Sequence, residues 1–184
     1  MHRIAATPGG WTPDSDGVIY IQQTPAPIVF ITAADTDIQT LCVAHQQLPA
    51  DFPEMRVVNL LQLQQQLTLD TYADEVLSQA KLIILRLLGG RAYWSYGLEV
   101  LRETVEMSGG HLIVMPGDDG IDPDLCSHST VPLTIVNQLW QYFNEGGVSN
   151  FCNGLKYAQD KCLDGDNYPP DPQSVPRVGP YPVA

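Results

Sequence analysis

The sequence has few positive charges and no closely spaced pair of cysteines. It contains 9 lysine and arginine residues against 21 aspartate and glutamate residues, for a formal net charge of −12. Because such an acidic surface repels phosphate groups, binding to nucleic acid is not expected, and binding to an anionic membrane is disfavoured for the same reason. The four cysteines include no C-x-x-C pair, so we expect neither a disulfide framework nor a zinc site. We expect Cys42 to be buried on a predicted helix.

Long apolar runs are also absent. No stretch approaches the roughly 18 consecutive apolar residues that would suggest a membrane span. The first ten residues reach Pro8 without a long apolar segment, which is not typical of a signal peptide. We therefore expect a cytoplasmic protein without a membrane span.

The motifs of common enzyme sites are missing as well. The pair Gly89-Gly90 fits neither G-x-G-x-x-G nor G-x-x-x-x-G-K-[ST], so nucleotide binding has no support. There is no G-x-S-x-G or H-E-x-x-H sequence, and the histidines are scattered. We predict no catalytic residue and no metal site in this chain. The histidines are His2, His45, His111 and His128.

What the sequence does contain is a repeat of buried strands followed by amphipathic helices. Hydrophobic residues make up 44% of the chain, which is typical of a globular protein. The run at 81–87 is almost entirely apolar, as in a strand that is buried on both faces. This alternation predicts an α/β fold with an open, mainly parallel sheet of at least four strands and flanking helices. The predicted strands are 28–32, 55–60, 81–87 and 111–115.

The two ends of the chain differ in composition from this central part. Residues 1–27 are rich in proline, glycine and aspartate, and predict an N-terminal arm with a possible edge strand at 18–21. The α/β domain is assigned to 28–163, and its last part is predicted to form two helices. Residues 164–184 contain six prolines and predict an extended tail or a linker to missing domains. The two helices are 131–143 and 151–163.

Three of the predicted strands end in loops with glycine or polar residues. Since the carboxyl ends of parallel strands meet at one edge of a sheet, these loops should lie together, where ligands and partners usually bind. Neighbouring carboxylates there can act as acid and base or hold a hard cation, and an aromatic ring beside an arginine can hold a ring ligand. The candidate residues for a ligand or partner site are Asp35, Gly89, Gly90, Arg91, Tyr93, Trp94, Tyr96, Asp118 and Asp119.

A purely structural interpretation of the same residues stays open. Trp94 and Tyr96 can anchor a helix to the core after an ordinary strand–helix turn. Asp35 or Thr36 can cap the helix that follows the first strand, and the aspartate pair after the fourth strand can support a turn. The two interpretations differ in whether these side chains are open to a ligand.

Four segments of the sequence resemble a known family. They are Ala5–Gly10 (AATPGG), Ile28–Asp35 (IVFITAAD), Leu87–Gly97 (LLGGRAYWSYG) and Pro116–Asp119 (PGDD). In this order and spacing they are similar to the amino-terminal region of the large cobaltochelatase subunit (CobN type), which is related to the porphyrin-binding H subunit of magnesium chelatase. The Gly-Gly-Arg-Ala-Tyr-Trp element is the most specific part of the resemblance, which spans most of residues 1–163.

The resemblance implies a part in the ATP-dependent insertion of cobalt into a corrin ring, in cobalamin biosynthesis. In that family the large subunit binds the tetrapyrrole and the metal ion, while partner subunits with AAA+ and integrin-like domains hydrolyse ATP. Tetrapyrrole, cobalt and ATP would then belong to the full complex, with the remaining large-subunit domains as partners in cis or as a separate chain. This chain would shape the tetrapyrrole cleft or dock partner subunits, and would be inactive alone.

Two other functions stay as alternatives. The chain can be a stand-alone tetrapyrrole-binding protein or an assembly adaptor without chelatase activity. It can also be a small independent enzyme that uses the carboxylates of Asp35, Asp118 and Asp119. An assay with and without partner subunits separates these functions, since only the last predicts turnover by the isolated chain.

Overall fold

Four strands built largely from apolar residues form the centre of the structure. The computed structural model describes residues 19–175. Every residue of the first and third strands is buried, so helices must cover both faces of the sheet. The strands are β1 (Ile28–Thr32), β2 (Met55–Asn59), β3 (Leu82–Leu87) and β4 (His111–Pro116).

The strands lie in the order β2-β1-β3-β4, and all of them run parallel. This confirms the parallel α/β sheet predicted from the sequence. The chain moves outward from β1 to β2, and then crosses back over β1 to form β3 on its other side. The direction of progression therefore reverses between β1 and β3. In open α/β sheets, ligands bind outside the carboxyl ends of the strands at such a point.

Helices cover both faces of the sheet. Helices α2 (Gln66–Glu75) and α3 (Ser95–Ser108) pack on one face. Helices α1 (Asp35–Gln46), α5 (Leu133–Glu145) and α6 (Gly147–Cys162) pack on the other, where α6 contacts both α1 and α5. Three short 3-10 turns lie at Leu60–Leu63, Leu77–Gln79 and Arg91–Trp94. The α-helices of the described range are α1 (Asp35–Gln46), α2 (Gln66–Glu75), α3 (Ser95–Ser108), α4 (Pro123–Cys126), α5 (Leu133–Glu145) and α6 (Gly147–Cys162).

Alternate side chains of each strand enter two separate hydrophobic cores. In β1, Val29 and Ile31 belong to the core under α2 and α3, whereas Ile28 and Phe30 belong to the core under α1, α5 and α6. In the second core Phe30 packs edge-on against Phe143, with ring centroids 5.3 Å apart. Because buried apolar surface contributes about 25 cal/mol per Å², these cores are the main stabilising contribution and give the loops a rigid support.

Side chains cover backbone groups at both edges of the sheet. At the β4 edge, the Thr130 hydroxyl accepts a hydrogen bond from the Leu112 N–H, and the Ser129 hydroxyl accepts one from the Val114 N–H, both at 2.8 Å. At the β2 edge, the side-chain amide of Gln23 donates to a strand carbonyl at 3.0 Å. Unpaired N–H and C=O groups of an edge strand can pair with a strand of another chain, and these bonds leave fewer such groups free.

Two local details differ from the sequence-based expectations. Cys42 is exposed, and the expectation of burial was wrong because Leu41 and Ala44 form the buried face of α1. Asp35 is the first residue of α1 and does not cap it. The capping position is Ala34, without a side-chain cap.

The two ends of the described range contain neither helix nor strand. Residues 19–27 reach β1 without strand pairing, so the possible edge strand at 18–21 is not formed within the described residues. Residues 164–175 lie along α5 and α6. No helix between residues 19 and 175 is long and apolar enough to cross a bilayer. Outside the described residues lie 1–18, with the segment Ala5–Gly10, and 176–184, with the last three prolines.

Candidate functional site at the carboxyl edge of the sheet

The loops after β1, β3 and β4 meet at the carboxyl edge of the sheet. Arg86 Nη2 donates a hydrogen bond to the Gly117 carbonyl at 3.3 Å, which joins β3 to the loop after β4. A Cβ atom placed on Gly117 would lie 2.8 Å from Leu88 Cγ, so the two loops are in direct contact. We call this surface the loop edge. Its residues are Asp35, Gly89, Gly90, Arg91, Tyr93, Trp94, Tyr96, Asp118 and Asp119.

A buried ion pair, which the sequence analysis missed, occupies the interior behind the loop edge. Arg86 Nη1 donates to Asp37 Oδ1 at 2.6 Å, and the two side chains are only 8% and 7% exposed. The Thr32 hydroxyl donates to the other carboxylate oxygen at 3.0 Å. Thr32 and Arg86 are paired neighbours on β1 and β3, whereas Asp37 lies in the first turn of α1. The pair therefore ties β1, β3 and α1 together where the strand order reverses.

This ion pair fills the position at which a ligand would enter a doubly wound sheet. Charges taken out of water are tolerated only when they are paired and hydrogen-bonded. Arg86 Nε is enclosed and has no hydrogen-bond partner in the part of the chain that the structure describes. Asp35, at the start of α1, is half-buried, and its negative charge is favourable near the amino end of a helix.

The glycine pair of the loop edge makes the turn between β3 and α3. Gly89 and Gly90 have φ angles of +88° and +72°, a region that L-residues rarely adopt. A Cβ atom on Gly89 would lie 3.3 Å from the Cβ and Cγ atoms of Tyr93, and one on Gly90 would lie 3.7 Å from a carboxylate oxygen of Asp122. The two glycines thus set the path of the backbone and allow Tyr93 to pack against it.

Trp94 is part of the core. The residue is 7% exposed and belongs to the hydrophobic cluster under α2 and α3. Gly97 lies directly against its ring, since a Cβ atom placed there would be 2.2 Å from Trp94 Cδ2 and Cε2. The indole therefore offers no open face on which a ring ligand can stack.

The two tyrosines of the loop edge are held toward α2 and the turn before it. Tyr93 is 50% exposed, and its hydroxyl accepts a hydrogen bond from the Gln64 side chain at 3.2 Å. The Tyr96 hydroxyl donates to Asp70 Oδ1 at 2.7 Å. This hydrogen bond, together with the negative charges of Asp70 and Glu103, raises the pKa of Tyr96. Of the two rings, Tyr93 is the one with the more open surface.

The charged residues of the loop edge are spread over its outer rim. Arg91 forms an exposed ion pair with Asp124 at 3.8 Å, a kind of contact that contributes little to stability. Asp118 and Asp119 are exposed, and the Asp118 carbonyl accepts a hydrogen bond from the Trp140 indole at 3.3 Å. Between residues 19 and 175, no group of three or more His, Cys, Asp or Glu side chains is placed to hold a metal ion. The rim is thus a charged, solvent-facing surface.

Two open grooves lie away from most of this rim. A groove of about 560 Å³ between α2 and α3 has acidic walls and contains Met107, which is 81% exposed. A second groove, of about 600 Å³, lies at the amino edge of the sheet, beside Lys81 and His111. Of the loop-edge residues, only Tyr96 lines either groove. The acidic side chains of the first groove are Asp70, Asp74 and Glu103.

Fold and site together define an α/β domain with a parallel sheet, a carboxyl edge that an ion pair closes from within, and an outer rim of charged and aromatic residues. No family model matches the sequence. Two curated proteins and one solved structure are similar to the chain and narrow this class further.

The sequence is similar to two large cobaltochelatase subunits. It is 39% identical over 178 residues to the aerobic cobaltochelatase subunit CobN of Pseudomonas aeruginosa, an alignment that covers 97% of this chain and 14% of that protein. It is 37% identical over 158 residues to the CobN subunit of a Sinorhizobium species, with 86% of this chain and 12% of that protein covered. The chain therefore spans only a small part of the length of these relatives.

A solved structure agrees with these relatives in fold. The catalytic subunit of cobaltochelatase from Mycobacterium tuberculosis superposes with a TM-score of 0.66 at 22% identity, over 81% of this chain and 11% of that one. At this identity the likeness shows the fold alone. The two sequence relatives identify the chain as a CobN-like amino-terminal region, and the solved structure agrees with them in fold.

Proposed function

We propose that this chain is the amino-terminal domain of a cobaltochelatase-type large subunit, and that it takes part in ATP-dependent insertion of cobalt into a corrin ring without being catalytic alone. The observation that carries the proposal is the similarity over 97% of the chain to a CobN subunit of which it covers only 14%. A segment of that size matches one domain of a much longer protein. The corrin substrate, cobalt and ATP would be handled by the full complex, which we place in the cytoplasm.

The side-chain chemistry supports a non-catalytic domain. Inserting a transition metal requires ligands for the ion and a base for the pyrrole protons, and His and Cys are the side chains that suit such ions. The described residues hold no cluster of this kind. The aspartates of the loop edge would suit a hard cation better than cobalt. Metal and base would therefore come from other domains of the large subunit.

Within this role, the geometry favours docking over binding of the ring. The interior of the loop edge is filled by the Asp37–Arg86 pair, and Trp94 is buried. What the surface offers is Arg91 together with the half-exposed ring of Tyr93 and the exposed side chain of Leu88. Aromatic and arginine side chains are enriched at protein interfaces. We propose that the loop edge contacts the remaining large-subunit domains or the AAA+ and integrin-like partner subunits.

A chimera tests the proposal. The region of the Pseudomonas aeruginosa CobN subunit that aligns with this chain is exchanged for it, and cobalt insertion is measured with partner subunits, ATP and a corrin acceptor. We expect the exchange to preserve activity, deletion of the region to abolish it, and the isolated 184-residue chain to be inactive. Turnover by the isolated chain would overturn the proposal in favour of an independent enzyme.

A second candidate function is a stand-alone tetrapyrrole-binding or adaptor protein. The observation in its favour is the exposed Tyr93 ring beside Arg91, which can pair with an acidic side arm. A corrinoid or a porphyrin is titrated against tryptophan fluorescence, with Tyr93→Ala and Arg91→Ala as test variants. Saturable binding that both variants weaken favours this function. Equal binding by all three proteins would show that Tyr93 and Arg91 do not bind the ring.

A further inference from the structure

The proline-rich segment after α6 is held to the body of the domain by specific contacts, and its path has a consequence for the chain that follows. We define residues 166–175 as the strap. Composition alone predicts a free or semi-rigid linker for such a segment. In the structure, hydrogen bonds to α5 and α6 fix it at intervals along its length.

The strap is first held near the carboxyl end of α6. Asp160 accepts hydrogen bonds from the backbone N–H groups of Asn167 at 2.9 Å and Tyr168 at 2.8 Å. Burial alone would raise the pKa of Asp160, but these bonds and one from the Asn167 side chain lower it below its usual value. The charged carboxylate is therefore the form that holds the strap.

Further along, α5 and α6 recognise the backbone of the strap. The Tyr142 hydroxyl donates to the Pro170 carbonyl at 2.5 Å. Asn150, which is 2% exposed, donates to the Gln173 carbonyl at 2.8 Å and accepts from the Gln173 N–H at 2.9 Å. A buried amide paired with both backbone groups of one residue fixes the register of the segment.

The strap ends at the junction of α5 and α6. The Val175 N–H donates to the Glu145 carboxylate at 3.3 Å, and Val175 Cγ2 would lie 3.7 Å from a Cβ atom on Gly147. The order of these contacts shows that the strap runs antiparallel to α6. From Asp160 back to Gly147 a helix rises about 20 Å. The strap from Asn167 to Val175 spans about 25 Å if extended, which is enough to return over the whole helix.

This path leads from one edge of the sheet to the other. Residues Leu163 and Asp164, at the end of α6, line the groove at the amino edge. α5 passes the carboxyl edge, where Trp140 donates to the Asp118 carbonyl, and its last residue is Glu145. We propose that the strap is a docked return segment that delivers the chain beyond residue 175 to the same end of the sheet as the loop edge. This inference concerns the path of the chain and does not rest on the proposed function.

The test uses a change in the strap itself, so that the body of the domain is untouched. Gln173→Pro removes the N–H that donates a hydrogen bond to Asn150 Oδ1. Ser174→Pro is a matched control, because the Ser174 N–H makes no hydrogen bond within the described part of the chain. Hydrogen exchange of the Val175 amide should accelerate by roughly three- to tenfold in Gln173→Pro, since about one net hydrogen bond is lost. It should stay near the reference rate in Ser174→Pro. Equal and rapid exchange of the Val175 amide in all three proteins would show that the strap is not docked, and would overturn the inference.

A distance measurement tests the delivery to the loop edge. Spin labels are attached in a protein that carries Asp118→Cys and Ser174→Cys, in a Cys42→Ser background because Cys42 is exposed. We expect a narrow distance distribution that broadens when Gln173→Pro is added. A broad distribution before that change would show that the strap does not fix the exit of the chain, and would overturn the inference.

Discussion

At the scale of single residues, the Asp37–Arg86 pair is the most consequential feature. Replacing Asp37 by Asn keeps the size of the side chain but leaves Arg86 as a buried charge without a counter-ion. Breaking a buried pair in this way costs about 3–5 kcal/mol. We expect the free energy of unfolding, measured by urea denaturation, to fall by that amount.

The matched control for this prediction removes both charges. The double variant Asp37→Leu with Arg86→Met leaves no buried charge, and such replacements are often neutral or stabilising. We expect it to be more stable than Asp37→Asn. If the single variant unfolded at the same urea concentration as the unmodified protein, the pair would contribute nothing to the stability of the fold.

Gly97 supports a second prediction at this scale. In Gly97→Ala the new Cβ would overlap the Trp94 ring, which lies 2.2 Å away, so the indole must move within the core. Overpacking of this kind costs about 1–3 kcal/mol, and since the overlap with the ring is severe, the cost should outweigh the gain of about 1 kcal/mol from better helix propensity. Urea denaturation with fluorescence detection measures the difference. Gly120→Ala is the control, because nothing lies within 4 Å of its Cβ position, and a loss of equal size there would contradict the packing argument.

At the scale of elements, the covered β4 edge makes a local prediction. In Ser129→Ala the Val114 N–H loses its acceptor, and a buried unsatisfied donor costs about 1–3 kcal/mol. Hydrogen exchange at Val114 should accelerate more than at the core amides of β3. Ser127→Ala is the control, because the Ser127 hydroxyl is exposed and bonds only to a carbonyl within its own helical turn. Uniform acceleration in both variants would show a general loss of stability instead.

The positions of the strands could be predicted from the sequence, but the residues inside the loop edge could be predicted only in part. Apolar and β-branched runs identified all four strands to within one residue at each end, and the signal was strongest in β1 and β3, where every side chain is buried. The short helix α4 was not predicted. The Asp37–Arg86 pair was missed although an arginine inside an apolar strand was its visible signal. Its partner lies 49 positions earlier, and no local pattern connects the two.

Two side chains show why exposure was harder to predict than position. Cys42 and Leu41 are neighbours on α1, yet one is exposed and the other is fully buried, since a shift of one residue turns a helix by about 100°. Trp94 was predicted in the first turns of the helix after β3 and lies in the 3-10 turn before α3, and its burial depends on Gly97, which lets the backbone approach the indole. Such contacts depend on tertiary packing and leave little mark on the sequence.

At the scale of the whole molecule, attachment of the strap should depend on pH. The pKa of Asp160 is lowered in the folded protein, so the charged form stabilises the attached strap at neutral pH. That contribution is present above the usual carboxyl value of 3.8 and is lost as the pH falls through the lower value of the folded state. The Tyr168 amide resonance, followed by NMR, should shift with a midpoint below 3.8. In Asp160→Asn this titration step should be absent, and a step that persisted would belong to another group.

The strand order also fixes when the sheet can be completed during synthesis. Of the four described strands, β1 is the first to leave the ribosome, and it pairs with both β2 and β3, through Ile28 with Met55 and with Leu82. Until β3 has emerged, one side of β1 has no neighbouring strand. Such non-local pairing is slow, and an open strand in a nascent chain is prone to aggregate. β3, whose side chains are all buried and, apart from Arg86, apolar, is therefore the segment whose arrival commits the chain to its native topology.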